Sequence, residues 1–486
     1  MKKILFTHSY FYKFDHKQWK AKQPYPPLGT IYAAAVMREA GYQVSLFDTA
    51  LIDSPEKIIH AIEHEKPDYL VIYDDGFNYL TKMCLTNMRK AAFRMTEIGK
   101  KNNIKVIASS SDSADHYDIY IKKGVDFVVI GEGEITLKEL IISLDKKETD
   151  FSKIDGLAYK INKEIICTPT RQIVKELDVF PQPAWDLIDI PSYKKIWTDN
   201  HGYFSLNIAT TRGCPFKCNW CAKPIYGNRY NSRSPQKVVE EIEFLQKSYD
   251  VNYFWICDDI FGLKPGWVQE FCDQVNKKEL KFKYKIQSRV DLLLQEDTIA
   301  ALADSGAETV WVGAESGSQK VLDAMDKGTT VQQIYKATHL LKKNGIRSAF
   351  FLQFGYLGET KADIEKTINM VLDLMPEEIG ISVSYPLPGT KFYNSVKAQL
   401  KEKSNWTDSD DLAMMYKSTF SPSYYKKLHR YVHKVYKRKQ SLLNLKKLIL
   451  NPLKANRQKI RSAISFLYYT PMSVIDSFQL RRLEKA

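Results

Sequence analysis

The sequence predicts an α/β protein: an N-terminal Rossmann-like doubly wound parallel sheet, followed by a partial (β/α)6 TIM-type barrel and a basic helical C-terminal tail. Three observations predict this class. Short apolar segments alternate with helix-length segments from the first residues onward, and a second alternation begins near residue 204. The last 66 residues hold 16 of the 71 Lys and Arg but only two of the 57 Asp and Glu, so they carry the chain's whole net charge of +14.

The first alternation covers residues 1–145. Its predicted strands are residues 3–7, 42–47, 69–73, 104–108 and 126–130, and its predicted helices are residues 29–40, 55–65 and a segment from about residue 136. Asp48, Asp74, Ser110, Ser111 and Gly131 follow the ends of predicted strands. Ligands of doubly wound sheets bind beyond the carboxyl ends of the strands. We therefore expect residues 1–145 to form a small-ligand domain.

Residues 146–200 are expected to link two domains. Residues 156–159 and 165–167 predict a small hairpin, and Pro181 and Pro183 interrupt regular structure after it. The second alternation predicts strands at residues 204–209, 253–257, 283–288, 309–313, 348–354 and 379–384. Six strand–helix units predict an open barrel over residues 201–398, with its chemistry at the C-terminal ends of the strands. Residues 399–486 form the predicted helical extension.

Composition argues against several classes of protein. Without the tail the charges balance, so a nucleic-acid-binding surface over the whole chain is not expected. No run reaches the roughly 18 consecutive apolar residues that cross a bilayer, and the apolar run at residues 4–6 is too short for a signal peptide. Seven cysteines, three of them crowded together, do not predict a disulfide framework. We expect a reducing, cytoplasmic compartment.

The strongest local signal is Cys214, Cys218 and Cys221, in a loop after the first predicted barrel strand. Three soft thiolates suit an iron–sulfur cluster in which one iron keeps an open coordination position. A structural zinc site would need a fourth ligand close by. Cys257 and Cys272 are isolated in the sequence, so zinc is a weaker interpretation, and three unrelated thiols are the remaining alternative.

The Cys-x3-Cys-x2-Cys spacing, with Trp220 before the last cysteine, resembles the radical S-adenosylmethionine (SAM) superfamily. The resemblance implies that Cys214, Cys218 and Cys221 are the catalytic metal ligands of a [4Fe–4S] cluster whose open iron binds the amino and carboxylate groups of SAM. It further implies cleavage of SAM to a 5′-deoxyadenosyl radical. An electron donor such as flavodoxin or ferredoxin is then an expected partner.

Further segments at the ends of successive predicted strands resemble the SAM-binding motifs of that superfamily. The resemblance implies cofactor contacts by Trp220, Asp258, Asp259, Ser288, Arg289, Glu315, Ser316, Gly355 and Glu359. Leu357 stands where the fifth motif usually carries proline, a departure that concerns the local turn. Each segment also has a structural alternative: Asp258 could cap a helix, Glu315 could pair with a cation, and Gly355 could shape a turn.

The domain before the barrel resembles the cobalamin-binding branch of these radical enzymes. The resemblance implies cobalamin contacts by Pro27, Gly29, Asp48, Asp74, Ser110, Ser111, Gly131, Glu132, Gly133 and Glu134. Serines 109–111 replace the branch's usual Gly-Gly, which limits close backbone approach. No Asp-x-His-x-x-Gly motif is present, so a histidine ligand to cobalt is not expected. The alternative is a vestigial domain, and the lack of Gly-x-Gly-x-x-Gly after the first strand weighs against a dinucleotide.

The expected function is cobalamin-dependent radical methylation of an unactivated carbon in a small-molecule or lipid-linked substrate. Members of the same branch that close or contract carbocyclic rings are not distinguished by these motifs. A methylthiotransferase would need a second three-cysteine cluster in the N-terminal domain, yet only Cys84 and Cys167 precede Cys214. A non-catalytic cobalamin or SAM sensor is the alternative from another class, because a fold does not determine a function.

The basic tail has helix-compatible spacing at residues 424–439 and 442–467, interrupted by Asn451-Pro452. The simplest interpretation is a solvated terminal helix. Ile464, Phe466 and Leu467 beside basic residues also suit an anionic membrane surface, which would place the enzyme at the inner face of the membrane. Nucleic acid is the least expected partner.

Overall fold

The structure, a computed structural model of the 486-residue chain, describes residues 2–83, 85–223, 225–295, 297–400, 403, 405–450 and 457–484. Cys84 and the predicted helix break at Asn451-Pro452 lie outside the described residues. Within those residues the chain forms a seven-stranded sheet, a six-stranded sheet, a two-stranded ribbon and a C-terminal pair of helices. This arrangement confirms the predicted α/β class.

The N-terminal sheet has the strand order β2-β1-β3-β4-β5-β6-β7. Its strands are β1 Lys3–Thr7, β2 Gln43–Phe47, β3 Tyr69–Tyr73, β4 Lys105–Ser109, β5 Phe127–Val129, β6 Leu157–Ile161 and β7 Glu164–Cys167. Strands β1 to β5 run parallel, because helical connections return the chain between them. The hairpin β6–β7 pairs antiparallel with β5 and so extends this sheet at its edge.

Helices cover both faces of the N-terminal sheet. The helices up to the barrel are α1 His16–Ala21, α2 Leu28–Glu39, α3 Ile58–Glu65, α4 Thr86–Lys101, α5 Ser111–Asp115, α6 Tyr117–Lys122, α7 Gly133–Asp145 and α8 Ile190–His201, with 3₁₀ turns at Tyr12–Phe14, Pro55–Lys57, Thr81–Met83, Leu177–Val179 and Trp185–Leu187. Side chains alternate along β1, so that Ile4 and Phe6 join one buried cluster and Leu5 joins another. Helices α2 and α7 pack on the first cluster, and α3, α4 and α6 pack on the second.

The second sheet is a curled half-barrel of six parallel strands in the order β15-β14-β13-β12-β11-β8. These strands are β8 Ser205–Ile208, β11 Tyr253–Ile256, β12 Lys283–Ser288, β13 Ala307–Glu315, β14 Arg347–Phe354 and β15 Glu378–Val383. The connecting helices are α9 Pro235–Tyr249, α10 Trp267–Lys277, α11 Val290–Leu293, α12 Thr298–Asp304, α13 Gln319–Ala324, α14 Val331–Lys343, α15 Lys361–Leu374 and α16 Lys391–Val396, followed by a 3₁₀ turn at Lys397–Gln399. On β12, Tyr284 and Ile286 are fully buried whereas Lys285 and Gln287 face a cavity.

The C-terminal tail forms two antiparallel helices, α17 Pro422–Leu450 and α18 Arg457–Leu483. Helix α17 continues without interruption through residues 440 and 441, which lie between the two helical stretches that the sequence predicts. The Tyr436 hydroxyl donates hydrogen bonds to the carbonyl oxygens of Pro376 and Glu377, so α17 is attached to the barrel. Among the described residues, no helix is long and apolar enough to cross a membrane.

Candidate functional site

The three cysteines lie in a single loop that begins with a short antiparallel ribbon, β9 Thr211–Arg212 paired with β10 Asn231–Ser232. The side chains of Cys214, Cys218 and Cys221 are neither fully buried nor fully exposed. Gly213 starts the loop with φ = +79°, and a Cβ atom there would lie 2.3 Å from the carbonyl oxygen of Arg229. Only glycine fits this turn, which directs the chain from the ribbon into the cysteine loop.

Burial and a nearby lysine act in opposite directions on the pKa values of the cysteine thiols. Burial raises the pKa of Cys214 and raises that of Cys221 to about 11, while the nearby Lys223 acts in the opposite direction. In the described part of the chain, no group of three His, Cys, Asp or Glu side chains is close enough to hold a single metal ion. Each thiolate of a [4Fe–4S] cluster binds a different iron, so its ligands stand farther apart than those of one ion. Cys214, Cys218 and Cys221 are three thiols of one loop, the ligand set that a cluster with one open iron requires.

Arg289 supplies positive charge beside the cysteine loop. Its guanidinium stacks over the ring of Phe216, 3.6 Å from the ring centre, and lies 4.0 Å from the Cys218 sulfur. It also donates a hydrogen bond of 2.8 Å to the carbonyl oxygen of Lys327. The neighbouring Ser288 hydroxyl donates to the carbonyl oxygen of Phe261. Arg289 thus joins the third barrel strand to the cysteine loop.

Glu315 is the last residue of the fourth barrel strand, β13, at an irregularity in its register, and Ser316 follows it. The Glu315 backbone has φ = +55°, and its buried carboxylate accepts a 2.8 Å hydrogen bond from the Lys327 ammonium. Ser316 is hydrogen-bonded to the hydroxyl of Thr367 at 3.0 Å. The buried indole N–H of Trp220 has no hydrogen-bond partner among the described residues. It is therefore a donor available to a bound ligand.

The two aspartates after β11 have different surroundings. Asp258 is buried and accepts hydrogen bonds from the backbone N–H groups of Thr210 and Thr211, at 2.7 and 3.0 Å. Burial raises its pKa to about 6. Asp259 forms an ion pair with Lys82, which follows β3 of the N-terminal sheet. Asp258 thus orients the strand that leads into the cysteine loop, and Asp259 joins the two sheets.

Gly355 and Glu359 form a closed turn after the fifth barrel strand. The backbone N–H of Gly355, at φ = +84°, donates a 2.6 Å hydrogen bond to the Glu359 carboxylate. Glu359 is fully buried, and burial raises its pKa to about 8. Tyr416, from the segment before α17, donates to the carbonyl oxygen of Gly355. The C-terminal extension therefore contributes to the shape of this turn.

The segment Gly131-Glu132-Gly133-Glu134 binds Arg212, which stands two positions before Cys214. Arg212 contacts Glu132 at 2.5 Å and Glu134 at 2.8 Å, and all three side chains are at most 5% exposed. Gly133 lies between them, where a Cβ atom would be 2.8 Å from the Tyr73 hydroxyl oxygen. The segment thus links the N-terminal domain directly to the cysteine loop.

The other predicted cobalamin contacts are spread over the N-terminal domain. The Gly29 N–H donates to Asp75, and Asp48 is hydrogen-bonded to His8 and Tyr193. Asp74 accepts from the N–H and hydroxyl of Ser9, while Ser110 caps α5, in which Ser111 is the first residue. Gly131 has φ = +80° and shapes the turn before α7, and Pro27 lines a cavity. Asp48, Asp74 and Ser110 are thus already hydrogen-bonded within the protein.

A cavity of about 860 Å³ lies between the two sheets. His8, Tyr10 and Asp75 line it from loops that follow β1 and β3, and Trp255, Lys285 and Gln287 line it from the inside of the barrel. Thr81 also lines the cavity. Its neighbour Lys82 forms the ion pair with Asp259 that joins the two sheets. The volume is at the large end of the range for small-molecule pockets.

Three cations of this region were not predicted from the sequence. Arg212 stands two positions before Cys214, so its place in the sequence suggests a role at the cysteine loop. Its burial is visible only in the structure. Lys82 and Lys327 stand in segments with no distinguishing pattern, and the residues they contact lie 177 and 12 positions away along the chain. A single sequence contains no signal for such pairs.

Comparison with known proteins agrees with this geometry. Residues 208–371 match the sequence model of the Radical SAM superfamily. The chain is 28% identical over 388 residues to an uncharacterized methyltransferase of Pyrococcus horikoshii, covering 78% of this chain and 81% of the relative. It is 27% identical over 388 residues to the anaerobic magnesium-protoporphyrin IX monomethyl ester cyclase of Rubrivivax gelatinosus. That alignment covers 76% of this chain and 66% of the cyclase.

The fold also occurs in a solved structure. The radical S-adenosylmethionine methyltransferase TsrM from Kitasatospora setae, with cobalamin and a [4Fe–4S] cluster bound, superposes with a TM-score of 0.69 at 18% identity. The superposition covers 82% of this chain and 78% of that one. Both domains of the present chain therefore have counterparts in a single known architecture.

Proposed function

We propose that this chain, whose residues 208–371 match the Radical SAM superfamily model, is a radical SAM enzyme that catalyses cobalamin-dependent methylation of an unactivated carbon in a small-molecule or lipid-linked substrate. One observation carries the proposal: a cavity of about 860 Å³ lies between the strand ends of an N-terminal doubly wound sheet and the inside of the barrel. The pair of Arg212 with Glu132 and Glu134 connects that sheet to the cysteine loop.

Cys214, Cys218 and Cys221 would hold the cluster, which supplies the electron for SAM cleavage. Arg289, whose guanidinium is paired with the Asp291 carboxylate at 3.0 Å, stacks on Phe216 and packs next to Cys218 of the cysteine loop. The free indole N–H of Trp220 can donate to a bound nucleoside or amino acid group. The chain's contribution is to orient the reactants and exclude water.

The N-terminal end of the cavity suits cobalamin, which supplies a transferable methyl group when bound. That end is lined by the imidazole of His8, the phenol ring of Tyr10 and the ring of Pro27. The imidazole of His8 is held by the Asp48 carboxylate at 2.9 Å and by hydrogen bonds with Thr49. Both ring nitrogens of His8 therefore have hydrogen-bond partners, so we expect no cobalt–histidine bond.

The test is anaerobic reconstitution of the full-length chain with iron, sulfide and cobalamin, followed by reduction with dithionite in the presence of SAM. The proposal expects four irons and one cobalamin per chain and the formation of 5′-deoxyadenosine. Cluster and 5′-deoxyadenosine without retained cobalamin would reject the methylation proposal. Cobalamin or SAM binding without 5′-deoxyadenosine would instead favour a sensor.

A ring-closing enzyme is the second candidate, favoured by the similarity to the Rubrivivax gelatinosus cyclase. The two candidates differ in the fate of the SAM methyl group. With SAM carrying a trideuterated methyl group, a methyltransferase delivers deuterium to its product. A cyclase consumes SAM but leaves the product unlabelled.

We further propose that the α17–α18 pair binds an anionic membrane surface at the inner face of the membrane. Ile464, Leu467 and Phe478 of α18 are 61%, 74% and 61% exposed and lie at helical spacing. Arg461 and Arg481 flank this stripe, within a tail that carries a net charge of +14. Apolar side chains surrounded by basic ones fit anionic headgroups over an acyl layer.

Flotation with phosphatidylcholine vesicles, with and without phosphatidylglycerol, tests this surface. The wild-type chain should float only with the anionic lipid. Replacing Ile464, Leu467 and Phe478 together by glutamate should abolish flotation and leave the barrel folded, because these side chains project into solvent. Equal flotation of the two proteins would reject the membrane proposal. A flavodoxin or ferredoxin is the proposed electron donor.

A further inference from the structure

The inner face of β12 places a lysine inside the barrel. Lys285 and Gln287 point into the cavity, whereas Tyr284 and Ile286, between and beside them, are buried against the helices. This follows from the two-residue periodicity of a strand whose one face packs against helices and whose other face lines the lumen. Trp255 and Trp311 line the same cavity from the neighbouring strands.

Lys285 has aromatic neighbours rather than an acidic one. Its ammonium lies 5.2 Å from the ring centre of Tyr25 and 5.5 Å from that of Trp255. Among the described residues, no Asp or Glu forms an ion pair with it. Burial lowers its pKa, and the more distant Glu378 and Tyr203 oppose this only in part.

Two other cations that line the cavity have acidic partners. Lys194 forms an ion pair with Asp250 at 2.9 Å, and Arg347 forms one with Glu308. All four of these side chains line the same cavity. Lys17 and Lys283 also line the cavity, but both are exposed to solvent. Among the described lysines of the cavity, Lys285 therefore differs in lying inside the barrel without a carboxylate partner. A desolvated ammonium without an anion destabilises the fold, unless a ligand restores the missing interaction.

We propose that the barrel end of the cavity is the substrate chamber and that Lys285 binds an anionic group of the substrate, a carboxylate or a phosphate. Trp255, Trp311 and Tyr25 enclose an apolar or aromatic portion of the same molecule. This inference rests on the proposed radical SAM function and adds the class of substrate. It makes Lys285 a specificity-determining residue that forms a charge-assisted hydrogen bond with the substrate.

Binding of three probes tests the proposal: 2-naphthoate, 2-naphthyl phosphate and the neutral 2-naphthamide, measured by calorimetry with the anaerobically reconstituted full-length protein. The wild type should bind at least one anionic probe about tenfold or more tightly than the amide. Lys285→Gln should remove this preference and leave amide binding unchanged. Lys285→Arg should retain it, because the positive charge persists. Lys281→Gln, at an exposed lysine before the same strand, is the matched control and should behave as the wild type.

The two anionic probes distinguish a carboxylate from a phosphate as the anionic group of the substrate. A preference for naphthoate indicates a carboxylate substrate, and a preference for naphthyl phosphate indicates a phosphorylated or phospholipid-like one. Equal affinity of the wild type for all three probes, or absence of binding, would overturn the proposal. So would an anion preference that survives in Lys285→Gln. Formation of 5′-deoxyadenosine by the same wild-type preparation is measured separately, so failure of this inference is distinguishable from failure of the proposed function.

Discussion

Arg212 and Glu134 form a buried ion pair of 2.8 Å between the cysteine loop and the N-terminal domain, with side chains that are 5% and 1% exposed. Glu132 binds the same guanidinium from its other nitrogen. Phe180 lies against it, with its ring centre 4.3 Å from the guanidinium carbon. Because the loop that follows Arg212 holds Cys214, the domain interface and the cluster site depend on the same side chain.

Replacement of Arg212 by glutamine is therefore expected to leave two buried carboxylates without their cation. Breaking a buried pair by removing one partner costs about 3–5 kcal/mol. We expect a loss of that order in the free energy of unfolding in urea and a lower iron content after reconstitution. The matched control is Arg38→Gln, because Arg38 pairs with the exposed Asp186 at 2.8 Å. This control should cost less than about 1 kcal/mol, and equal losses in the two variants would contradict the prediction.

Alanine at Cys214, Cys218 or Cys221 should each abolish 5′-deoxyadenosine formation. A cluster that keeps one iron open for SAM depends on all three thiolates. Iron content and visible absorption after anaerobic reconstitution should fall together with activity. Cys167→Ala is the control, because Cys167 is an exposed residue of β7 in the N-terminal sheet. A variant of Cys218 that retained full iron and activity would contradict the assignment.

Substitution of Gly213 by alanine should destabilise the protein far more than the same substitution at Gly202. Both glycines have a positive φ, 79° at Gly213 and 77° at Gly202. A Cβ atom at Gly202 meets nothing within 4 Å, whereas one at Gly213 lies 2.3 Å from the carbonyl oxygen of Arg229. Gly202→Ala should cost about 1–2 kcal/mol from backbone strain alone. Gly213→Ala should cost more and should reduce bound iron, as urea denaturation and iron analysis will measure. Equal costs would contradict the prediction.

Glu359 should make the protein less stable in alkaline solution. Burial raises its pKa from 4.5 to about 8 in the folded state, so folded protein binds the proton more tightly than unfolded protein does. Stability is then greatest below about pH 4.5 for this group and falls as the pH rises to about 8. Glu359→Gln keeps an acceptor for the Gly355 N–H and removes the titration.

The corresponding measurement is the free energy of unfolding at several pH values between 5 and 9. The variant should match the wild type at the acidic end and exceed it by a few kcal/mol at the alkaline end. Asp373→Asn is the matched control for a carboxylate-to-amide change, because the exposed Asp373 carboxylate accepts a hydrogen bond from Tyr335 at the protein surface. A Glu359→Gln profile parallel to that of the wild type would contradict the prediction.

Much of the fold follows from local patterns. The strands 3–7, 69–73 and 283–288 have the bounds predicted, since apolar runs between turn residues specify them. Helix α4 is not among the predicted helices, although Ala91, Met95 and Ile98 recur at helical spacing in the sequence and form its buried side on the sheet.

The candidate site was predicted less completely than the fold. The cysteine spacing identifies the loop, because its ligands are consecutive in the chain. Predicted SAM contacts at Asp258 and Glu315 are near the loop but already have protein partners, Thr210 and Lys327. Their contacts with SAM therefore stay predictions.

The sequence by itself determined the succession of two α/β domains, the cysteine loop and the location of the positive charge in the tail, because periodicity, spacing and composition are properties of neighbouring residues. Only the tertiary structure decided that Arg212 joins Glu132 and Glu134, and that Lys285 lies in the barrel interior without a carboxylate partner among the described residues. Arg212 and Glu132 are 80 positions apart. Their contact arises from the packing of one sheet against another, which no local pattern encodes.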